Sequence, residues 1–223
     1  MSVAIQKVVH NKRDDMYTPR VLAESIIPFV ISYYYNIEDN IQFTIWCPFD
    51  SADSEIVKAL EAWRAEVEEW NDNITIIHSH IDNGQDFFQI EPPECDVIIS
   101  NPPFSRKLDV FKRLEELNIP YAMLMNVMAL NYNVINNFFY ENNNEKTKGF
   151  IIVDKKVSFD GRCSAFNTSW ICDNFLEEPL EFVRIEHNNQ GKNFEPSKML
   201  CAKCKRCNGE LKGLECMAER GIL

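Results

Sequence analysis

Asp96-Val97-Ile98-Ile99-Ser100-Asn101-Pro102-Pro103-Phe104 is the stretch that decides the fold. Val97, Ile98 and Ile99 form a short β-branched run, the pattern of a strand covered on both faces in a parallel sheet. Pro102 and Pro103 then end it. Neither can donate to a ladder, each fixes its own φ, and Pro103 holds Pro102 extended, so the tetrapeptide is stiff. A stiff polar loop at the carboxyl end of a buried strand lies where open α/β sheets bind ligands. The blander reading of the same residues is a strand followed by an ordinary proline turn.

Upstream, residues 41–46 read as the first central strand, with Pro48-Phe49-Asp50 in the loop at its carboxyl end. Ile56, Leu60, Trp63, Val67 and Trp70, spaced by four and three residues, mark the helix that follows. Strand, tight loop and helix make the ligand-binding opening of a doubly wound fold. Residues 74–78 are the next strand, and His78 and His80, two apart, read as satisfied polar side chains. Near the start, Thr18 is placed as N-cap and Pro19 as first helical residue of a helix over 20–34. Its apolar face is Leu22, Ala23, Ile26, Ile27 and Val30. Pro28 removes one intrahelical donor and should kink or end that helix.

Downstream, 108–117 reads as a helix, 120–125 as a buried strand, and 131–140 as a helix with Phe138 and Phe139 inward. Residues 141–148 read as a charged surface loop. Strands are expected at 150–153, 156–159 and 166–172. The expected fold class is therefore α/β, Rossmann-like, with a mainly parallel central sheet flanked by helices and a small Cys-rich appendage. The domain reading is a main domain over 1–187, a polar linker over 188–197 and a tail over 198–223.

Asn101-Pro102-Pro103-Phe104 resembles the signature of S-adenosylmethionine-dependent amino-methyltransferases, most familiar in the N6-adenine DNA methyltransferases, and the chain also resembles small phage or prophage proteins of that class. The likeness runs over roughly 14–180. It implies methyl transfer to an exocyclic amine, adenine N6 in DNA first, with RNA guanine N2 and protein glutamine as alternatives. The chemistry suits these residue types. An exocyclic amine on a base is a weak nucleophile because its lone pair is delocalised into the ring. If the Asn101 side-chain oxygen and the Pro102 carbonyl accept its N–H groups, the nitrogen is drawn toward tetrahedral geometry and its lone pair turned toward the methyl donor. Phe104 would stack on the flipped base.

The resemblance further implies cofactor contacts from Tyr17-Thr18-Pro19, from Trp46, Pro48, Phe49 and Asp50, and from Asp82, Asp86 and Phe87. Members of the class carry an acidic residue, Pro-Phe and a glycine-rich turn after the first strand. This chain has Cys47-Pro48-Phe49-Asp50-Ser51-Ala52-Asp53, which keeps Pro48 and Phe49 but has no glycine. That departure motivates a rival reading, a methyltransferase-fold nucleic-acid-binding protein without cofactor affinity. The piece Ala165-Phe166-Asn167-Thr168-Ser169-Trp170 resembles the stretch that lines the target-base pocket, although core packing is the alternative for Phe166 and Trp170.

The chain of 223 residues has a formal net charge of −11, which argues against a general nucleic-acid coat protein. Local basic faces remain. Arg106 and Lys107 follow the signature loop and are the nucleic-acid-binding candidates. Residues 196–223 hold six Lys/Arg against three Glu, leaving the remainder near −14. Solvated helix and tail surfaces would read the same way. Cytoplasmic location is expected, since no signal-peptide layout or membrane-length apolar run appears. Of eight cysteines, Cys47, Cys95, Cys163 and Cys172 read as core thiols. Cys201, Cys204, Cys207 and Cys216 have the crowding of a closed tetrahedral zinc site, with a Cys-rich disordered tail as the alternative.

Overall fold

The computed structural model describes residues 17–36, 42–66, 73–131, 148–157, 159 and 167–185. The helices are α1 (Arg20–Glu24), α2 (Ile27–Asn36), α3 (Glu55–Glu66) and α4 (Lys107–Leu117). The strands are β1 (Phe43–Cys47), β2 (Ile74–His78), β3 (Val97–Ser100), β4 (Tyr121–Asn126), β5 (Lys148–Val153), β6 (Thr168–Asp173) and β7 (Leu180–Val183).

The β-branched run at 97–99 does what its composition demands, because β3 is buried at every position and has a parallel strand on each side. The sheet order is β2-β1-β3-β4-β6-β5-β7. β6 runs antiparallel to β4 and β5, while the other pairings are parallel. This is the Rossmann-like α/β architecture expected from the sequence: a mainly parallel doubly wound sheet with one reversed strand.

Side chains alternate between two apolar cores, one on each face. Ile45, Val97, Ile99, Ala122, Leu124, Trp170 and Cys172 point to the face covered by α1, α2 and α3. Trp46, Ile98, Tyr121, Met123, Met125 and Ile171 point to the face covered by α4, whose Val110, Phe111 and Leu114 meet them. Because strand side chains alternate with period two, residues adjacent in β1 and β3 serve opposite layers, which is why these strands read as continuous apolar runs.

Pro28 acts as its chemistry requires. The helix over 20–34 breaks at Ser25 and Ile26. A proline ring clashes with the carbonyl four residues back, here that of Glu24, the last residue of α1. The start differs by one residue from expectation. Pro19 is the N-cap of α1 with extended φ −61° and ψ 140°, and no side-chain cap is made, so Thr18 is a buried residue before the helix rather than its cap.

Three further expectations are corrected. Lys148 does not belong to a surface loop; it opens β5 with its side chain only 8% exposed, held by Glu115 at 2.6 Å and Asp173 at 2.8 Å. A lone lysine cannot be buried that deeply unless its charge is paired. Residues 156, 157 and 159 are not strand, and Val157 packs into the first core instead. β7 was unmarked in sequence because Leu180 and Phe182 are exposed and leave no buried period-two signal. The helix expected at 131–140 lies, after Asn131, outside the described residues, as do Val67, Trp70, Cys163 and Phe166. Among the described residues no helix is long and apolar enough to cross a membrane.

Candidate functional site

The chain leaves β1 toward β2 in one direction and leaves β3 toward β4 in the other. The crevice at the carboxyl ends of β1 and β3 is therefore the topological switch point, where ligands bind in doubly wound sheets. Two loops meet there: 48–54 after β1, and the Asn101-Pro102-Pro103-Phe104 loop after β3.

The loop after β1 closes without glycine. Among the described residues positive φ occurs only at Gly84, Asn118 and Asn174, so every residue of 48–54 has an ordinary L-residue backbone. Asp50 N–H donates to the Cys47 carbonyl at 3.4 Å and Ser54 N–H to that of Ser51 at 3.0 Å. Ser54 then caps α3, its Oγ accepting from Val57 N–H at 3.2 Å. A glycine turn is one way to make a tight approach here. This loop makes its turn by another route.

Asp50 is 4% exposed and turned inward. Its carboxylate accepts from the Ser100 hydroxyl, from the Ser54 hydroxyl and from Asn101 N–H. Ser100 Oγ in turn accepts from Phe49 N–H at 3.1 Å. Burial pushes the Asp50 carboxyl up to about 6 from its ordinary 3.8, against the opposing pull of those three donors and of nearby His80. The sequence marked Asp50 as facing a cofactor; the structure shows it tying the two loops together. Ser54 and Ser100 were missed, although each had a signal: Ser54 stands directly before a helix, and Ser100 is the polar end of an apolar run.

Pro102 is buried, and Pro103, at φ −63° and ψ 121°, precedes a 3-10 turn over Phe104–Arg106. Arg106 N–H closes that turn on the Pro103 carbonyl at 3.2 Å. Asn101 is half-buried, and Phe104 is half-buried against the second core. Arg106 places its guanidinium 3.7 Å from the Phe88 ring centroid, with Nε 3.2 Å from Asp109 Oδ2. Lys107, half-buried, begins α4 beside it.

The residues assigned to the cofactor separate in position. Trp46 is fully buried, its indole N–H donating to Ser79 Oγ at 3.0 Å. Phe87 is also inside, with its centroid 5.6 Å from that of Trp46 and 4.7 Å from that of Phe49. Phe49 and Phe88 are half-buried at this end. Pro48 is buried at the end of β1. Asp86 caps its own turn, accepting from Phe88 N–H at 3.0 Å and from Gln89 Nε2 at 2.9 Å. Asp82 is exposed, and its N–H donates to His80 Nδ1 at 3.2 Å. Gly84, at φ 76°, lets the chain turn back after it.

His80 is therefore satisfied as expected, whereas His78 is not: its Nδ1 is buried at the carboxyl end of β2 with no hydrogen-bond partner among the described residues. At the start of α1, Tyr17 is 82% exposed. Glu55 at the head of α3 acts electrostatically on Arg20 and Glu24, which brings the Tyr17-Thr18-Pro19 end of α1 near the start of α3. Trp170 is committed to the core, its indole N–H on Ser25 Oγ at 2.9 Å.

Cys47 and Cys172 are buried thiols and Cys95 is half-buried; burial raises all three, Cys95 to about 12. Among the described residues no three His, Cys, Asp or Glu side chains gather as a metal site. Cys201, Cys204, Cys207 and Cys216 lie outside the described residues.

Neither a protein-family model nor a curated protein matches the chain. Solved structures do. The modification protein of the type I restriction enzyme EcoKI aligns with a TM-score of 0.46 at 9% identity, over 70% of this chain and 43% of that one. A protein described as the modification subunit of a type I restriction enzyme from Vibrio vulnificus aligns at 0.48 and 12%, over 83% and 50%. A chain from a type I restriction-modification assembly aligns at 0.48 and 12%, over 84% and 48%. This chain thus spans about half the length of these three structures.

Proposed function

We propose that the protein transfers a methyl group from S-adenosylmethionine to an exocyclic amine, with adenine N6 in DNA as the substrate. The observation that carries this reading is the join between the two loops. The Asn101-Pro102-Pro103-Phe104 loop leaves a buried strand at the switch point, and Ser100 and Asn101 are hydrogen-bonded to Asp50 in the loop after the neighbouring strand. A catalytic loop held against a ligand crevice is what transfer between a bound donor and a bound acceptor requires.

The crevice suits such a cofactor. It keeps the unpartnered His78 Nδ1 and the carboxylates of Asp82 and Asp86 near strand ends, and the half-buried rings of Phe49 and Phe88 beside them. On this reading Pro48, Trp46 and Phe87 form the wall behind those rings, and Tyr17, Thr18 and Pro19, just before α1, form the border of the cofactor site. When bound, the cofactor supplies a methyl on a positively charged sulfur. The rest falls to the chain. Asn101 Oδ1 and the Pro102 carbonyl accept the two amine N–H groups, Pro103 keeps the loop stiff, and Phe104 stacks on the base. Arg106 and Lys107 meet the phosphates of the nucleic acid. In the tail, Cys201, Cys204, Cys207 and Cys216 hold a structural zinc.

The test is labelled methyl transfer from S-adenosylmethionine into unmodified duplex DNA, RNA and denatured protein. Label recovered as N6-methyladenine is the expected result. Label in RNA guanine or protein glutamine keeps the Asn101 chemistry and overturns the substrate. Calorimetry with S-adenosylmethionine and S-adenosylhomocysteine decides the reaction itself, since no heat at millimolar ligand would make the protein a nucleic-acid-binding module.

A further inference from the structure

We propose that Asp50 is the positioning residue of the Asn101 loop, acting through Ser100 and the Asn101 backbone, and that it does not hold the cofactor. The inference rests on the methyl-transfer reading for its catalytic consequence, and on hydrogen bonding for its cause.

The argument begins with what the site offers. Three donors converge on one buried side chain: the Ser100 hydroxyl, the Ser54 hydroxyl and Asn101 N–H. An ionised carboxylate is the side chain that only accepts, with two oxygens and about four lone-pair sites, so it satisfies three donors at once. An amide in its place would turn an NH2 group toward at least one of them. The convergence also spans elements. Ser54 caps α3, Ser100 closes β3, Asn101 opens the catalytic loop, and Phe49 N–H completes the link on Ser100 Oγ at 3.1 Å. Asp50 thereby fixes the backbone from which the Asn101 side chain springs.

With its acceptor capacity directed inward and 4% of its surface exposed, Asp50 has little left for a cofactor ammonium. Chemistry that depends on acceptor placement is sensitive to displacements of about 1 Å, which cost on the order of 100-fold in rate. The charged and titratable groups around Asp50 are His80 after β2 and Cys47 at the end of β1. The His80 charge favours the ionised carboxylate. Protonation turns one acceptor into a donor and weakens the tie.

The experiment compares Asp50→Ala, Asp50→Asn and Ser100→Ala with the unaltered protein, by steady-state kinetics, by cofactor calorimetry and by amide hydrogen exchange. Expected for Asp50→Ala is a kcat lower by about 100-fold with cofactor Kd within twofold. Asp50→Asn, which keeps one acceptor oxygen, should fall between the two and should lack the decline in kcat expected of the unaltered protein below pH ~6. Amides of residues 104–106 should exchange faster in Asp50→Ala while those of β3 stay protected. Ser100→Ala should reproduce the kcat effect and add little to Asp50→Ala. A raised cofactor Kd with kcat retained in Asp50→Ala would overturn the proposal and return Asp50 to the cofactor. Unchanged exchange across 104–106 would overturn it as well. Should the unaltered protein methylate none of DNA, RNA or protein, the methyl-transfer reading fails, and faster exchange in Asp50→Ala and Ser100→Ala still supports Asp50 as the anchor of the loop.

Discussion

Trp170 Nε1 donates to Ser25 Oγ at 2.9 Å, and both residues are fully buried. The bond joins the reversed strand β6 to the break between α1 and α2. Ser25 Oγ also donates to the Leu22 carbonyl at 2.6 Å, so one hydroxyl closes the end of α1 and satisfies an indole in the core. Ser25→Ala should lower stability by about 1–3 kcal/mol, because it leaves the Trp170 N–H buried without a partner. Ser25→Ala combined with Trp170→Phe should cost less than the sum of the two single changes. Urea unfolding of the four proteins in a double-mutant cycle checks this, and strict additivity would show that the bond contributes nothing.

Asn101→Ala should reduce kcat by about 100- to 1,000-fold, the range for removing one preorganised polar group that acts as charge shifts in the transition state. Cofactor affinity and unfolding midpoint should change little, since Asn101 meets Asp50 through its backbone N–H and the substitution preserves that bond. Turnover equal to the unaltered protein would end the assignment of Asn101.

Much of this was legible because its causes are local. The strand at 97–99, the prolines after it and the apolar spacing of Ile56, Leu60 and Trp63 are short-range features, and each forms the element expected of it. The break at Pro28 followed from one missing donor and one clash. What sequence could not show were properties of pairs distant along the chain. Lys148 reads as a loop lysine until Glu115 and Asp173 are seen to enclose it. The tie between Asp50 and Ser100, fifty positions on, shows only once the fold brings the two together. Nor does the glycine-free stretch at 48–54 show by itself how it turns; the backbone there makes the turn with no positive φ.

Stability should respond to pH through Asp50. Its carboxyl titrates at about 6 in the native protein against 3.8 when unperturbed, so between those values the native state binds more protons than the unfolded state. The contribution is fully present below the unfolded value and is lost as pH rises through about 6. From pH 4 to pH 7 the unaltered protein should lose about 2 kcal/mol relative to Asp50→Asn, at 1.36 kcal/mol per pKa unit. Urea unfolding of both proteins across that range measures it; parallel profiles would contradict the raised value.

One zinc per chain is expected from Cys201, Cys204, Cys207 and Cys216. Four thiolates in so short a segment match the ligand set of a closed tetrahedral site. Metal analysis of protein purified without chelator should give a zinc-to-protein ratio near one, falling in the Cys204→Ser and Cys207→Ser variants. A ratio near zero would leave these cysteines as free thiols.

The last prediction concerns the substrate and uses the position of Arg106. A base entering beside Phe104 must bring its backbone past the turn at Phe104–Arg106 and the first turn of α4, where Arg106 and Lys107 lie. Phosphate contacts made there release counterions, so binding should weaken steeply with salt, and the charge near −14 outside residues 196–223 should keep nonspecific binding weak. Arg106→Ala with Lys107→Ala should reduce the slope of log affinity against log salt by about two, one for each phosphate contact. Arg106 also stacks on Phe88, and Asp109 offsets part of its charge. Arg106→Lys separates these roles, because it keeps the charge and gives up the planar stack. If charge is what matters, Arg106→Lys should retain the salt slope that Arg106→Ala loses. Fluorescence anisotropy with a labelled DNA duplex at several salt concentrations provides the comparison, and a slope unchanged in the double variant would remove this face from the DNA path.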